Sequence, residues 1–125
     1  MNIILDRLRR EREYGQIKKA YEELRFRKRR YPFLITGLCE GALDAFLASF
    51  ALDEKNEKTA LIIANDESAA NRLRVFLSGC GLRVGFYPSR RPVLYNIVSS
   101  HELEHARLAC LAGILSGALD VVVTA

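Results

Sequence analysis

No apolar run in these 125 residues approaches the roughly 20 residues that a membrane-spanning helix needs. The N-terminus does not read as a secretory signal either, because Ile3-Ile4-Leu5 is followed at once by charge rather than by an apolar region. Cysteine is scarce and scattered: Cys39, Cys80 and Cys110 stand far apart, make an odd total and form no C-x-x-C pair. That pattern argues against a disulfide framework and against a cysteine zinc site, and it suits reduced thiols in a cytoplasm. What remains is one domain's worth of chain, half of it hydrophobic, enough for a real core.

Positive charge is unevenly spread. Residues 1–30 hold 11 Lys/Arg against 5 Asp/Glu, a balance of +6, and residues 31–125 hold 8 against 10, a balance of −2, which together give the net +4. The excess is densest at Arg25-Phe26-Arg27-Lys28-Arg29-Arg30. Such a cluster can contact nucleic-acid phosphates, with Arg25, Arg27, Lys28, Arg29 and Arg30 as the candidate residues. It can equally be a solvated helix end whose cations complement the dipole, the more ordinary use of a charge run.

The clearest chemistry lies in Pro32-Phe33-Leu34-Ile35-Thr36-Gly37-Leu38-Cys39-Glu40-Gly41-Ala42-Leu43-Asp44. A short apolar run, Phe33 to Ile35, meets a glycine, then a loop, then an amphipathic helix in which Leu43, Phe46, Leu47 and Phe50 share one face. This is the strand–loop–helix layout of the phosphate-binding pattern G-x-x-x-x-G-K-[ST]. Laid on it, Gly37 takes the first glycine, Ala42 the second (beside Gly41), Leu43 the lysine and Asp44 the hydroxyl residue. The lysine of that pattern supplies charge to the outer phosphates and the hydroxyl ligates magnesium; leucine and aspartate replace both. A helix N-terminus attracts anions through its free N–H groups and dipole, but Glu40 and Asp44 bring carboxylates to the same end. The stretch alone reads most simply as an ordinary turn with two glycines. A degenerate phosphate loop that binds no nucleotide is the alternative.

Taken in order, Ile4, Leu5 and Leu8 predict a short helix interrupted near Gly15. Ile17, Ala20, Tyr21 and Leu24 predict a second helix ending in the basic cluster. Pro32 hands over to a strand at 33–36, and a helix follows over about 41–52. Thr59 to Ala64 is a continuous apolar run that fits a strand buried on both faces. Asn65-Asp66 offers an N-cap for a helix to about 78, which Gly79 and Gly81 stop. A third strand spans 82–87, and 88–98 is an irregular connection carrying Arg90-Arg91, a pair whose spacing fixes no role. Ser99, with Glu102 as capping-box partner, opens a helix to about 116 that stops at Gly117. A last strand runs over 121–124. Strands alternating with helices predict an α/β fold, a three-layer parallel sheet with right-handed crossovers and an N-terminal helical extension at 1–30 preceding the α/β part at 31–125.

His101-Glu102-Leu103-Glu104-His105 matches H-E-x-x-H, which on a helix puts two histidines on one face as zinc ligands. A catalytic zinc needs a third protein ligand. No further histidine exists, and the only later acidic residue is Asp120. The favoured reading is an exposed polar first turn; a zinc peptidase is the remote alternative.

Several segments together resemble a family. Thr59 to Leu73 is similar to the second strand and helix of the excision-repair helicase UvrB, and Leu119 to Ala125 to its later R-x-D-V-I-I-V-A strand. UvrB keeps a working phosphate loop and a long tyrosine-rich hairpin, and this chain has neither. Both losses resemble the UvrB-like N-terminal region (subdomain 1a) of the bacterial transcription-repair coupling factor. There the loop is similar to Gly37-Leu38-Cys39-Glu40-Gly41-Ala42. The later connection follows a pattern seen here as Phe86, Pro88, Leu94, Tyr95, Ser99, Arg107 and Leu108, with Leu94 where the family has a proline before Tyr95. The resemblance covers about residues 14–125. It implies a helicase-like α/β subdomain, ended at a domain boundary, without catalytic residue, metal or cofactor. The parent it implies is an ATP-dependent DNA translocase that displaces stalled RNA polymerase and recruits UvrA in nucleotide excision repair. The subdomain's expected partners are neighbouring domains of that factor, with UvrA and RNA polymerase met through the parent, and weak DNA contact through the basic cluster. A stand-alone small-ligand or nucleotide-binding domain, with its ligand at the carboxyl ends of the strands near Gly37 and Asn65, is the alternative expectation.

Overall fold

The structure, a computed structural model, describes residues 3–27, 32–89 and 100–125. Contacts divide the chain into two units, Met1–Ser49 and Phe50–Ala125.

In the first unit, α1 (Ile3–Arg10) and α2 (Arg12–Phe26) are separated at Glu11, whose backbone is extended (φ −67°, ψ 138°). The break therefore falls four residues before the expected Gly15, which lies inside α2 and keeps its bond to the Glu11 carbonyl at 3.3 Å. An early start lets α2 bury Tyr14, whose ring meets Phe46 edge-on with centroids 5.8 Å apart. Phe46 belongs to α3 (Glu40–Glu54), which crosses the division between the units. Of the expected face Leu43, Phe46, Leu47 and Phe50, Phe46 is buried, Leu47 and Phe50 are half-buried and Leu43 is 40% exposed; the other buried positions of α3 are Asp44, Ala45, Ala48, Ser49 and Ala51. An Arg9 guanidinium N–H donates to the Ser49 carbonyl at 3.4 Å.

The second unit is built on a parallel sheet of β1 (Ala60–Ile63), β2 (Val84–Tyr87) and β3 (Val121–Thr124) in the order β1-β3-β2. Val122 pairs with Leu61 on one side and Gly85 on the other. Two helices connect the strands, α4 (Glu67–Gly79) from β1 to β2 and α5 (Ser100–Leu115) from β2 to β3. These connections run in opposite directions along the sheet, so a common crossover hand places the helices on opposite faces. Side chains agree: the Phe86 ring lies 6.0 Å from the Arg74 guanidinium of α4, while the Cβ direction of the neighbouring Gly85 meets Cys110 of α5. The α/β class is thus observed as helix, sheet and helix.

Local chemistry sets both ends of α4 and the end of α5. Asp66 Oδ1 accepts the Ala69 N–H at 2.8 Å, capping α4. At its other end Gly81 (φ +86°) permits paired closing bonds, Leu82 N–H to Leu77 O at 3.3 Å and Gly81 N–H to Ser78 O at 3.0 Å. The end of α5 repeats this around Gly117 (φ +68°), with Ala118 N–H to Gly113 O at 2.9 Å. Ala70, Leu73 and Leu77 form the buried face of α4 against Val121 and Val123. On the other face Leu119 fills the space left by two glycines: a Cβ on Gly85 or Gly113 would stand 2.6 or 2.9 Å from its Cδ1.

Two expected strands are corrected. Residues 33–36 form no strand: Leu34 is 87% exposed, and Gly37 (φ +84°) turns the chain out of the extended region directly afterwards. Without a paired neighbour, a short apolar run has nothing to bond its backbone to. β1 is not buried on both faces, for it lies at an edge, with Leu61 64% and Ile63 71% exposed. Among the described residues no helix is long and apolar enough to cross a membrane.

An ion pair between a buried carboxylate and an exposed guanidinium joins the strand starts. Asp120, 5% exposed, accepts the Arg83 backbone N–H at 2.8 Å and the Arg83 guanidinium at 2.6 Å, while Asp120 N–H donates to the Arg83 carbonyl at 2.8 Å. The Arg83 hydrogen bond, aided by the positive charges of Arg83 and Lys55, holds the Asp120 carboxyl below its ordinary value against the opposing effect of burial. The carboxylate's stabilisation is therefore complete above the unfolded pKa of about 3.9 and is lost as pH falls through the lower folded value. Urea denaturation of Asp120→Ala at pH 7 should show a loss of about 1–3 kcal/mol, the usual consequence of stripping a buried N–H of its acceptor. The gap from wild type should close on acidification through that window. Arg83→Met, which removes an exposed arm and leaves the backbone bond in place, should lose less.

Candidate functional site

The glycine loop is the first place to look for a ligand. Residues 32–39 carry no regular structure, and α3 starts at Glu40 with the Leu43 N–H bonded to the Cys39 carbonyl at 2.9 Å. Gly37 holds the left-handed backbone that a phosphate loop and an ordinary turn both require. Gly41 is different: it sits in the first turn of the helix with open space where a Cβ would stand, so nothing steric demands glycine there. Ala42 is half-buried, Leu43 projects an aliphatic chain where a lysine would stand, and Asp44 is 6% exposed. A carboxylate is thus buried at the helix end whose dipole would otherwise recruit an anion. The loop can position backbone, but it offers no cation at the lysine position and no hydroxyl at the magnesium-ligating position of the phosphate pattern.

At the carboxyl ends of the strands, the α4 N-terminus is taken by its own Asp66 cap, with Glu67 following. Asn65, the residue expected near a ligand, is exposed beside them. Beyond β2 the arrangement is richer. The Arg107 guanidinium of α5 lies 4.7 Å from the Tyr87 ring centroid and donates to the Tyr87 hydroxyl at 2.8 Å. Tyr87, Glu104, Arg107, Leu108 and Leu111 line a shallow hollow there, with Pro88 buried next in the chain. Sequence reasoning singled out Arg107 and Leu108 within a pattern but missed their meeting with Tyr87; the aromatic at the strand end was the signal available.

Of the basic cluster, Arg25 is exposed in the last turn of α2 and Arg27 follows as an exposed C-cap residue. Lys28, Arg29 and Arg30 lie outside the described residues, as do Arg90, Arg91, Leu94, Tyr95 and Ser99. His101, Glu102, Leu103, Glu104 and His105 form the exposed first turns of α5. Asp120 lies past the other end of that helix, about 20 Å along its axis, engaged by Arg83. Among the described residues no group of three His, Cys, Asp or Glu side chains is placed to hold a metal ion. Cys110 is buried, and burial pushes its thiol up from the ordinary value, so it behaves as packing.

The chain matches no protein-family model, no curated protein and no solved structure.

Calorimetric titration with magnesium ATP checks the reading of the loop. The expected result is no saturable heat into the millimolar range. Tight uptake abolished by substituting Gly41 would overturn it.

Proposed function

We propose that this chain is a non-catalytic scaffold subdomain, similar to subdomain 1a of the UvrB-like region of a transcription-repair coupling factor. The carrying observation is the pairing of a retained glycine turn at Gly37 with a helix start that holds Leu43 and a buried Asp44 in place of phosphate ligands. Support also comes from the segments that prompted the resemblance. Thr59 to Leu73 contains β1 and the capped start of α4, and Leu119 to Ala125 contains β3. In this reading the chain contributes neither ATP hydrolysis nor helicase action, which belong to the translocase motor of the parent. Its work is to support a UvrA-recruiting module and to pack against neighbouring domains in a cytoplasmic repair factor that also engages RNA polymerase and DNA.

The ligand-binding alternative is favoured by the Tyr87–Arg107 hollow, which lies at the carboxyl end of a parallel strand where such folds hold ligands. The zinc peptidase has no comparable observation behind it.

Association in trans separates scaffold from stand-alone domain. The purified chain should co-elute with the separately produced remainder of a coupling factor at near-stoichiometric ratio. Lack of any association while both parts are folded, together with saturable binding of a small anion lost in Arg107→Ala, would favour the alternative. Weak DNA retention is also expected. Replacing Arg25, Arg27, Lys28, Arg29 and Arg30 with glutamine should reduce both affinity and the dependence of log K on log salt, by about 0.9 for each phosphate that is no longer neutralised. Unchanged retention would remove DNA from the proposal.

A further inference from the structure

The solvent side of α2 carries one apolar side chain, and it is aromatic. Packing of Tyr14 against Phe46 turns the other side of the helix inward, and the exposed positions from Arg12 to Arg25 are charged, amide or glycine. Phe26 breaks that pattern, 91% exposed in the last helical turn between Arg25 and Arg27. The turn is closed behind it by the Arg27 N–H, which donates to the Glu23 carbonyl at 3.1 Å. Two hollows meet at this end. Lys19, Glu22, Glu23, Phe26 and Arg27 line one, and Ala20, Glu23, Leu24, Arg27 and Phe33 line the other. Glu23 and Arg27 belong to both, so a second aromatic, Phe33 at 43% exposure, shares two neighbours with Phe26. A lone exposed apolar residue is ordinary. Two aromatics gathered about one arginine, in a segment of marked positive charge, make a chemical arrangement with a definite complement.

We propose that this end of α2 binds single-stranded nucleic acid, with an unpaired base stacked on Phe26 and the backbone phosphates met by the surrounding cations. The balance of +6 over residues 1–30 supplies the attraction to a polyanion. Stacking supplies the strand preference, because duplex bases already stack on one another while a single strand can splay a base onto an aromatic ring. The acids on this surface lead to the same arrangement. Glu22 and Glu23 line the hollows and oppose a phosphate placed there. An uncharged base meets no such repulsion, so bases rather than backbone occupy the hollows. An anionic membrane is the other polyanionic surface a basic segment could meet. Interfacial helices bury a continuous apolar face, whereas α2 offers solvent a single ring beside two carboxylates. The inference deepens the DNA contact of the scaffold reading by naming the strand form, and it rests on that contact alone.

The chain has no tryptophan, so Phe26→Trp places a single fluorescent reporter at an exposed position of the full chain. Titration with oligothymidylate should quench its emission, as expected of a base stacked on the indole, and the duplex of oligothymidylate with oligoadenylate should quench far less. Anisotropy with labelled oligothymidylate gives the energetics. Phe26→Leu keeps apolar bulk and loses the ring, so it should weaken single-strand binding about tenfold, the size of one base–aromatic stack. The slope of log K against log salt should not change, because no phosphate contact is lost. Arg27→Gln should instead lower that slope by about 0.7 for each phosphate released. If Arg27→Gln weakens binding while Phe26→Leu is silent and the reporter stays unquenched, stacking is overturned and the DNA contact stands. Equal quenching by the duplex overturns the strand preference. Retention of neither strand form overturns both readings. Phosphatidylserine vesicles that blue-shift the reporter, with oligothymidylate leaving it unchanged, would assign the patch to a membrane and overturn the proposal.

Discussion

The sheet depends on a strand that comes last in the chain and lies in the middle in space. β1 and β2 do not pair with each other; each bonds only to β3, and Ala60 must wait for Val121 before its ladder can form. Closing loops of that length is entropically unfavourable before any contact compensates. Gly81 and Gly117 end α4 and α5 in the same way and send the chain directly toward β2 and β3. Asp120 and Arg83 then fix the register at the entry to the two strands, and Leu119 between Gly85 and Gly113 seals one face. Val121, Val122 and Val123, all buried, give that insertion its hydrophobic return.

The glycine loop illustrates how a turn and a binding site separate. A left-handed residue at Gly37 is required by the path of the backbone whatever the ligand. A phosphate cradle asks for more: close approach of backbone N–H groups, a cation at the helix start and a hydroxyl for the metal. Here the first requirement survives and the others are replaced by an aliphatic side chain and a buried carboxylate at Asp44. Nothing in folding would hold Gly41 in place, since a side chain there meets open space. The turn is present, while Leu43 and Asp44 stand where the phosphate pattern has its lysine and hydroxyl residue.

Much of the second unit was legible because its signals are local. Asp66 before an apolar periodicity, glycine just past the last helical turn, and the valines of β3 each report conformation through their own stereochemistry or burial. What failed depends on neighbours. The apolar run at 33–35 has the composition of a strand but no partner, and composition cannot supply one. The Thr59–Ala64 run looks doubly buried because its residues are aliphatic throughout, yet strand order leaves it at an edge. Glu11, rather than Gly15, breaks the first helices, and Tyr14 inside α2 meets Phe46 through a contact that no local signal reports. The contacts of Arg83 with Asp120 and of Arg107 with Tyr87 join residues 37 and 20 positions apart, and no spacing rule reaches them.

A parallel sheet is ordinarily covered on both faces, and this one is covered unevenly. Helix α4 spans β2 and β3, but on the opposite face α5 packs on β2. Leu61 and Ile63 belong to that second face, and α5 itself exposes Leu108, Leu111 and Leu115. Scattered exposed leucines need no explanation, but aliphatic residues gathered on one helix and on the sheet face it serves mark a surface that gains by being covered. The described residues place polar chemistry in the Arg83–Asp120 pair between strands, in the Asp66 cap of α4 and in the Tyr87–Arg107 contact, and leave exposed apolar area on open faces.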